Sequence, residues 1–197
     1  IIDQQNPGLL VREESPFKKW EDIVEAARGR HVSVAFDGFG SSGDLLVNYL
    51  NRHLGTHFDL VPYAKPGERI ASVLGGHNEL LFTQPGDVVS YIEGKQLRPV
   101  LMFADQRDPN FPDVPASKEF GYATSFIHFR AMYVKAGTPK EIVNKLTAAV
   151  EKAVATATFQ AALKREAALP NSYVPAKEAE RFIEGWLKEA RTIKSAH

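Results

Sequence analysis

The stretch that most restricts the fold runs from Val32 to Tyr63: an apolar strand, the turn Asp37-Gly38-Phe39-Gly40-Ser41-Ser42-Gly43, a helix from Asp44 to about His53, and a second strand. Val32, Val34 and Phe36 alternate at the period of a strand, whereas Leu45, Leu46, Tyr49 and Leu50 recur at the period of a helix. The turn lies where the period changes. Its three glycines let the backbone approach a bound group, and first-turn amides with a helix dipole behind them favour an anion. Ser41 and Ser42 add hydroxyl donors. The pattern points to a site for a carboxylate- or phosphate-sized anion. Its bland counterpart is a glycine-rich connection that binds nothing.

The same residues spell G-x-G-x-x-G through Gly38, Gly40 and Gly43, in the strand-turn-helix context of a dinucleotide fold. Such a fold wants an acidic residue closing the second strand to hold the ribose. Here Asp59 stands near the start of that strand, and Tyr63-Ala64-Lys65 follows its end. A nicotinamide-binding enzyme domain therefore stays as an alternative rather than the leading reading. A hydrolase is weaker, because Ser41 and Ser42 are out of register with a G-x-S-x-G elbow.

At 197 residues the chain suits one large domain or two lobes. Lys plus Arg equals Asp plus Glu at 24 each, and no basic run is long enough to follow a phosphate backbone, which argues against nucleic acid and membrane surfaces. No apolar run approaches the roughly 20 residues of a membrane span. The absence of cysteine excludes disulfides and thiolate catalysis without identifying a compartment. His53 and His57 share a helix face only if the helix passes Gly55, where it is expected to stop; the six histidines read as surface residues and no metal site is expected.

Along the chain, Leu9-Leu10-Val11 reads as a strand, Ser15-Pro16 as N-cap and first residue of a helix ending near Gly29, and the following segments alternate between strand and helix up to a strand at Leu97 to Phe103. This predicts an α/β lobe with a largely parallel sheet covered on both faces. Pro109, Pro112 and Pro115 make residues 105–122 an ordered loop with a short helix from Ser117 to Phe120, and the crossing between lobes is expected at 121–126. Beyond it come one strand, Phe129 to Val134, a helix capped by Thr138-Pro139-Lys140-Glu141 that buries Ile142, Leu146, Val150 and Val154, a second helix at about 157–167, and a third at about 176–195. Residues 126–197 thus carry more amphipathic helix than sheet to cover. Their apolar faces are expected to dock on a second copy or on a segment outside this sequence, and self-association through the C-terminal helices follows.

Ser15-Pro16-Phe17, Gly40-Ser41-Ser42, Val61-Pro62-Tyr63, Leu74-Gly75-Gly76, the run from Gly94 to Val100, the run from Pro112 to Val114 with Pro115, Glu119-Phe120-Gly121 and the run from Ala136 to Val143 follow in order and spacing the pattern of another group. Across its whole length the chain resembles the last two-thirds of the Bug-type solute-binding proteins of tripartite tricarboxylate transporters. The resemblance implies a periplasmic-binding-protein-like type II α/β fold. Residues 1–125 would form a complete second lobe with a parallel-rich sheet, and residues 126–197 the returning part of lobe one. It further implies a periplasmic, non-catalytic receptor with no cofactor, capturing a small carboxylate between lobes and presenting it to a membrane permease. Gly40, Ser41 and Ser42 would then meet the distal end of the ligand and Tyr63 would line the cleft. Where many members carry an aspartate, this chain has Thr83-Gln84, which disfavours an amino acid and favours a mono- or dicarboxylate, or an aromatic acid stacking near Phe39. The other lobe's loop is not represented, so the chain alone is expected to bind weakly or to act as a non-binding interaction domain.

Overall fold

A computed structural model describes residues 1–122 and 124–195; Ala123, within the expected lobe crossing, and His197 lie outside the described residues. The alternation Val32, Val34, Phe36 against Ala35 places successive side chains of β3 (Val32–Phe36) on opposite faces of a five-stranded sheet, and both faces are buried. β3 pairs in parallel with β4 (Phe58–Pro62) on one side and β5 (Leu80–Thr83) on the other. β2 (Gly8–Arg12) is antiparallel to both β5 and β6 (Leu97–Met102), giving the order β4-β3-β5-β2-β6. The sheet is therefore mixed: four strands point one way and β2 is reversed. β2 enters from the edge where the parallel strands end, so it needs no crossover helix to reach its place.

Leu9, Val11, Val34, Phe36, Leu80 and Phe82 face α1 (Trp20–Gly29) and α2 (Ser42–Leu54), whose Ile23, Ala27, Leu46 and Leu50 close the larger core. Leu10, Ala35 and Leu81 face the other way, toward Ile70 and Val73 of α3 (Pro66–Leu74), with Tyr91 and Ile92 of α4 (Val89–Glu93) packed against the same cluster. The short helical turn at Ser117–Phe120 forms where expected.

Four expectations change. α1 starts at Trp20 rather than at Pro16, because the Asp22 carboxylate accepts the Lys18 and Lys19 amides and sets the helix start there. Residues 1–8, ahead of the first strand expected, contain β1 (Asp3–Gln5), which pairs antiparallel with β7 (His128–Arg130) in a separate ribbon. The strand expected to reach Val134 ends at Arg130; among the described residues no strand lies beside 131–134, and Met132, Tyr133 and Val134 are exposed. Finally, α5 (Lys140–Val154) has no side-chain cap, since the Thr138 hydroxyl donates to the Lys135 carbonyl, and of its apolar stripe only Val154 is buried. Ile142 and Leu146 face solvent. α6 (Ala157–Arg165) and α7 (Ala176–Ser195) follow, and α7 returns to the first core through Trp186, Ala190 and Ile193.

Candidate functional site

β4, β3 and β5 run in parallel, so their carboxyl ends share one edge, with Phe36 opposite Pro62 and Ala35 opposite Leu81. Ligands of open α/β sheets lie outside such an edge. The Gly-rich turn, Tyr63 and the Thr83-Gln84 pair all follow directly from these ends. Asp59 pairs with Ser33, well below the edge, and its carboxylate lies 2.9 Å from His31 Nδ1.

The turn needs its glycines. Gly38 and Gly40 have φ of 118° and 82°, a region L side chains rarely adopt. Gly43 serves packing instead: a Cβ there would lie 2.8 Å from a Phe82 ring carbon and 3.0 Å from Asp37 Oδ1. Ser41 caps α2 by accepting the Asp44 amide at 3.3 Å, and its hydroxyl donates to Asp37 at 2.7 Å. The Gly40 amide donates to Asp44 Oδ2 at 2.8 Å, and the Ser41 amide to the Gly38 carbonyl at 3.3 Å. The turn's expected open donors are thus partly spent on its own carboxylates. Among the described residues no protein acceptor takes the amides of Ser42 or Gly43 or the Ser42 hydroxyl, so Ser42 is the half-exposed donor left facing out.

Phe39 stands at the tip, 74% exposed, edge-on to Phe36 with ring centres 5.4 Å apart. The Tyr63 hydroxyl accepts from Asn78 at 2.8 Å. Thr83 is buried, accepting from Arg69 and donating to Asp87, so its hydroxyl braces the edge; Gln84 is buried beside it.

The family model of the tripartite tricarboxylate transporter family receptor, TctC, matches residues 1–196. The chain belongs to that family. BugT of Bordetella pertussis is 29% identical over 119 residues, 59% of this chain and 36% of that protein. A TctC solute-binding protein from Polaromonas, solved without ligand, is 28% identical with a TM-score of 0.74, covering 98% of this chain and 65% of that one. MatC from Rhodopseudomonas palustris, solved with bound malate, superimposes with a TM-score of 0.77 at 24% identity, covering 97% of this chain and 67% of that one, and shares the fold. The chain spans about half the length, or less, of the curated relatives it matches. The family and its solved members are solute-binding receptors rather than enzymes, and TctC proteins are periplasmic. No described helix is long and apolar enough to cross a membrane.

In this TctC chain the Gly40-Ser41-Ser42 turn also opens on a cavity of about 420 Å³ between α2 and α7. Tyr63, Thr83 and Gln84 do not reach it. Its α7 wall, Leu187, Ala190, Arg191 and Lys194, follows the i, i+3, i+4, i+7 spacing of one helix face. Sequence reading missed it by taking residues 176–195 only as an amphipathic helix, although that spacing was legible.

A second polar group sits where the β1–β7 ribbon meets the sheet edge. Arg130 bonds Asp3 and lies 2.8 Å from Glu166, while Arg69, buried, lies 3.8 Å from Asp87. Asp3 Oδ1 and Arg69 Nε are buried without a partner in this network. His128, read as a surface residue, is half-buried here. Burial, and then the Arg130 charge, hold its imidazolium below the ordinary value, against the pull of Asp87, Asp3 and Asp37. His31, His53, His57 and His77 are exposed. Among the described residues no group of side chains could hold a metal.

Proposed function

We propose that this TctC chain is the ligand-gripping part of a non-catalytic extracytoplasmic receptor that captures a small carboxylate and presents it to a transporter permease. The reading is supported most by a half-exposed Ser42 at the start of a 13-residue helix, on the carboxyl edge of the parallel strands, in a chain of the receptor family. One carboxylate oxygen accepts from the Ser42 hydroxyl and the other from the first-turn amides, with the dipole of α2 adding to the attraction. Gly40 and Ser41 hold the turn's shape. Tyr63 and Phe39 flank the site, and Thr83 and Gln84 form its floor. Asp37 and Asp44 accept hydrogen bonds that would otherwise point outward, which restricts the grip to a single carboxylate end. The opposing end falls to the family's other lobe, and closure of the two makes the complex the permease reads.

The test is isothermal titration with succinate, malate and adipate, on a chain extended to the length of its relatives. Ser42→Ala is expected to weaken binding by about tenfold or more, the worth of one charge-assisted bond. Unchanged affinity in that variant refutes the assignment. A nicotinamide enzyme predicts instead that NAD raises the melting temperature while carboxylates do not.

A further inference from the structure

The α2–α7 cavity has features that capture of a dicarboxylate at the sheet edge does not use. Its volume falls in the range of small-molecule sites. Leu45, Trp186, Leu187 and Ala190 make much of the wall apolar. Trp186 is fixed in place: its indole N–H donates to the Ile127 carbonyl at 2.7 Å, and its ring lies 4.6 Å from the buried Phe126. A ring held on two sides is a preorganised surface for a flat ligand.

The charges at the rim are unbalanced. Arg191 and Lys194 stand at the rim with one carboxylate among the described lining residues, Asp44. Asp44 is already committed, accepting from Gly40 through one oxygen and from Asn48, at 2.7 Å, through the other. Arg52 donates to the Ile193 carbonyl. Among the described residues, Arg191 and Lys194 form no salt bridge. Both stand on the last turns of α7, at one end of the cavity, so a ligand with one acid group and an apolar body satisfies the wall. A second carboxylate would meet Leu45 or Asp44.

We infer that the α2–α7 cavity binds an amphipathic monocarboxylate, an aromatic or branched-chain acid, with its acid group between Arg191 and Lys194 and its body against Trp186. The site is built from this chain's residues alone and does not depend on the sheet-edge reading, with which it shares the Gly40-Ser41-Ser42 rim and Asp44.

The test is titration of the 197-residue chain with sodium benzoate, followed by tryptophan fluorescence, with sodium chloride and sodium succinate as matched-ionic-strength controls. A saturable change is expected with benzoate and not with the controls. It should be absent in Trp186→Phe, which identifies the reporting ring, and at least tenfold weaker in the double variant Arg191→Ala/Lys194→Ala. Both of those cations are exposed, so circular dichroism should show the double variant folded. The inference is overturned if benzoate gives no saturable change, if succinate gives the same one, or if the double variant titrates like the wild type. Any of these leaves the Ser42 titration, read on a different ligand and residue, free to stand or fall alone.

Discussion

Gly43→Ala tests whether the turn and the sheet are locked together as closely as the geometry demands. The added Cβ would lie 2.8 and 3.2 Å from two ring carbons of Phe82 and 3.0 Å from Asp37 Oδ1. Phe82 is 1% exposed and packs against Phe103, with ring centres 5.8 Å apart, so its ring has little room to retreat. Overpacking of this kind costs about 1–3 kcal/mol. Replacing a helical glycine by alanine returns about 1 kcal/mol. The net is a loss of about 0–2 kcal/mol, or a Tm lower by up to roughly 8 °C for a chain of this size. Gly29→Ala is the control, because a Cβ there meets nothing within 4 Å. It should raise Tm by about 1–3 °C. Both are read by thermal unfolding followed in the far ultraviolet. A further arm isolates the contact: Gly43→Ala combined with Phe82→Leu should be more stable than the sum of the two single effects. A Gly43→Ala protein more stable than wild type, or a strictly additive double variant, would refute the argument.

Ser41→Ala removes both the cap on the Asp44 amide and the bond to Asp37, and is expected to cost about 1 kcal/mol in denaturant unfolding, with Ser41→Thr recovering most of it. Arg69→Met leaves the Thr83 hydroxyl short of a donor and takes a buried cation from beside the Asp87 carboxylate, and should cost about 1–3 kcal/mol by the same measurement. His128 has its proton affinity depressed in the fold, so the unfolded chain binds the proton more readily; stability contributed by the neutral ring is present above its ordinary value of 6.5 and is lost as pH falls below it. His128→Gln should flatten the stability profile below about pH 6.5, and an unchanged slope would count against the burial argument. Ile142 and Leu146 on α5, with Met132, Tyr133 and Val134, leave apolar surface exposed, so sedimentation of this chain should show concentration-dependent association that Ile142→Lys/Leu146→Lys suppresses.

The strand-turn-helix unit was legible because three independent signals agree in it: period 2 up to Phe36, glycines at the positive-φ positions, and the αL cap at Gly55 with φ of 63°. The family was legible from motif order. What the residues alone could not give was direction and commitment. Nothing in Leu9-Leu10-Val11 states that β2 runs against its neighbours, since a buried strand reads the same either way. Nor does Gly40-Ser41-Ser42 reveal that Asp37 and Asp44 fold back onto it, because such short carboxylate bonds depend on a turn geometry set by Gly38 and Gly40. Asp3-Gln4-Gln5 gives no strand signal: its partner lies more than a hundred residues away, and polar strands at a ribbon carry no hydrophobic alternation. The Thr138 box failed for a local reason, its hydroxyl turning back to Lys135. The exposed stripe on α5 shows the limit of periodicity, which says that a face is apolar but not whether anything covers it.

The most direct test of the central claim is a two-dimensional amide spectrum of the chain titrated with succinate into the millimolar range, where even half a grip registers. The account predicts that the Ser42 and Gly43 amide resonances move together and saturate, while those of Gly40 and Ser41, tied to Asp44 and Gly38, move little. Stationary Ser42 and Gly43 resonances at saturating succinate, or shifts confined to other parts of the molecule, would contradict it.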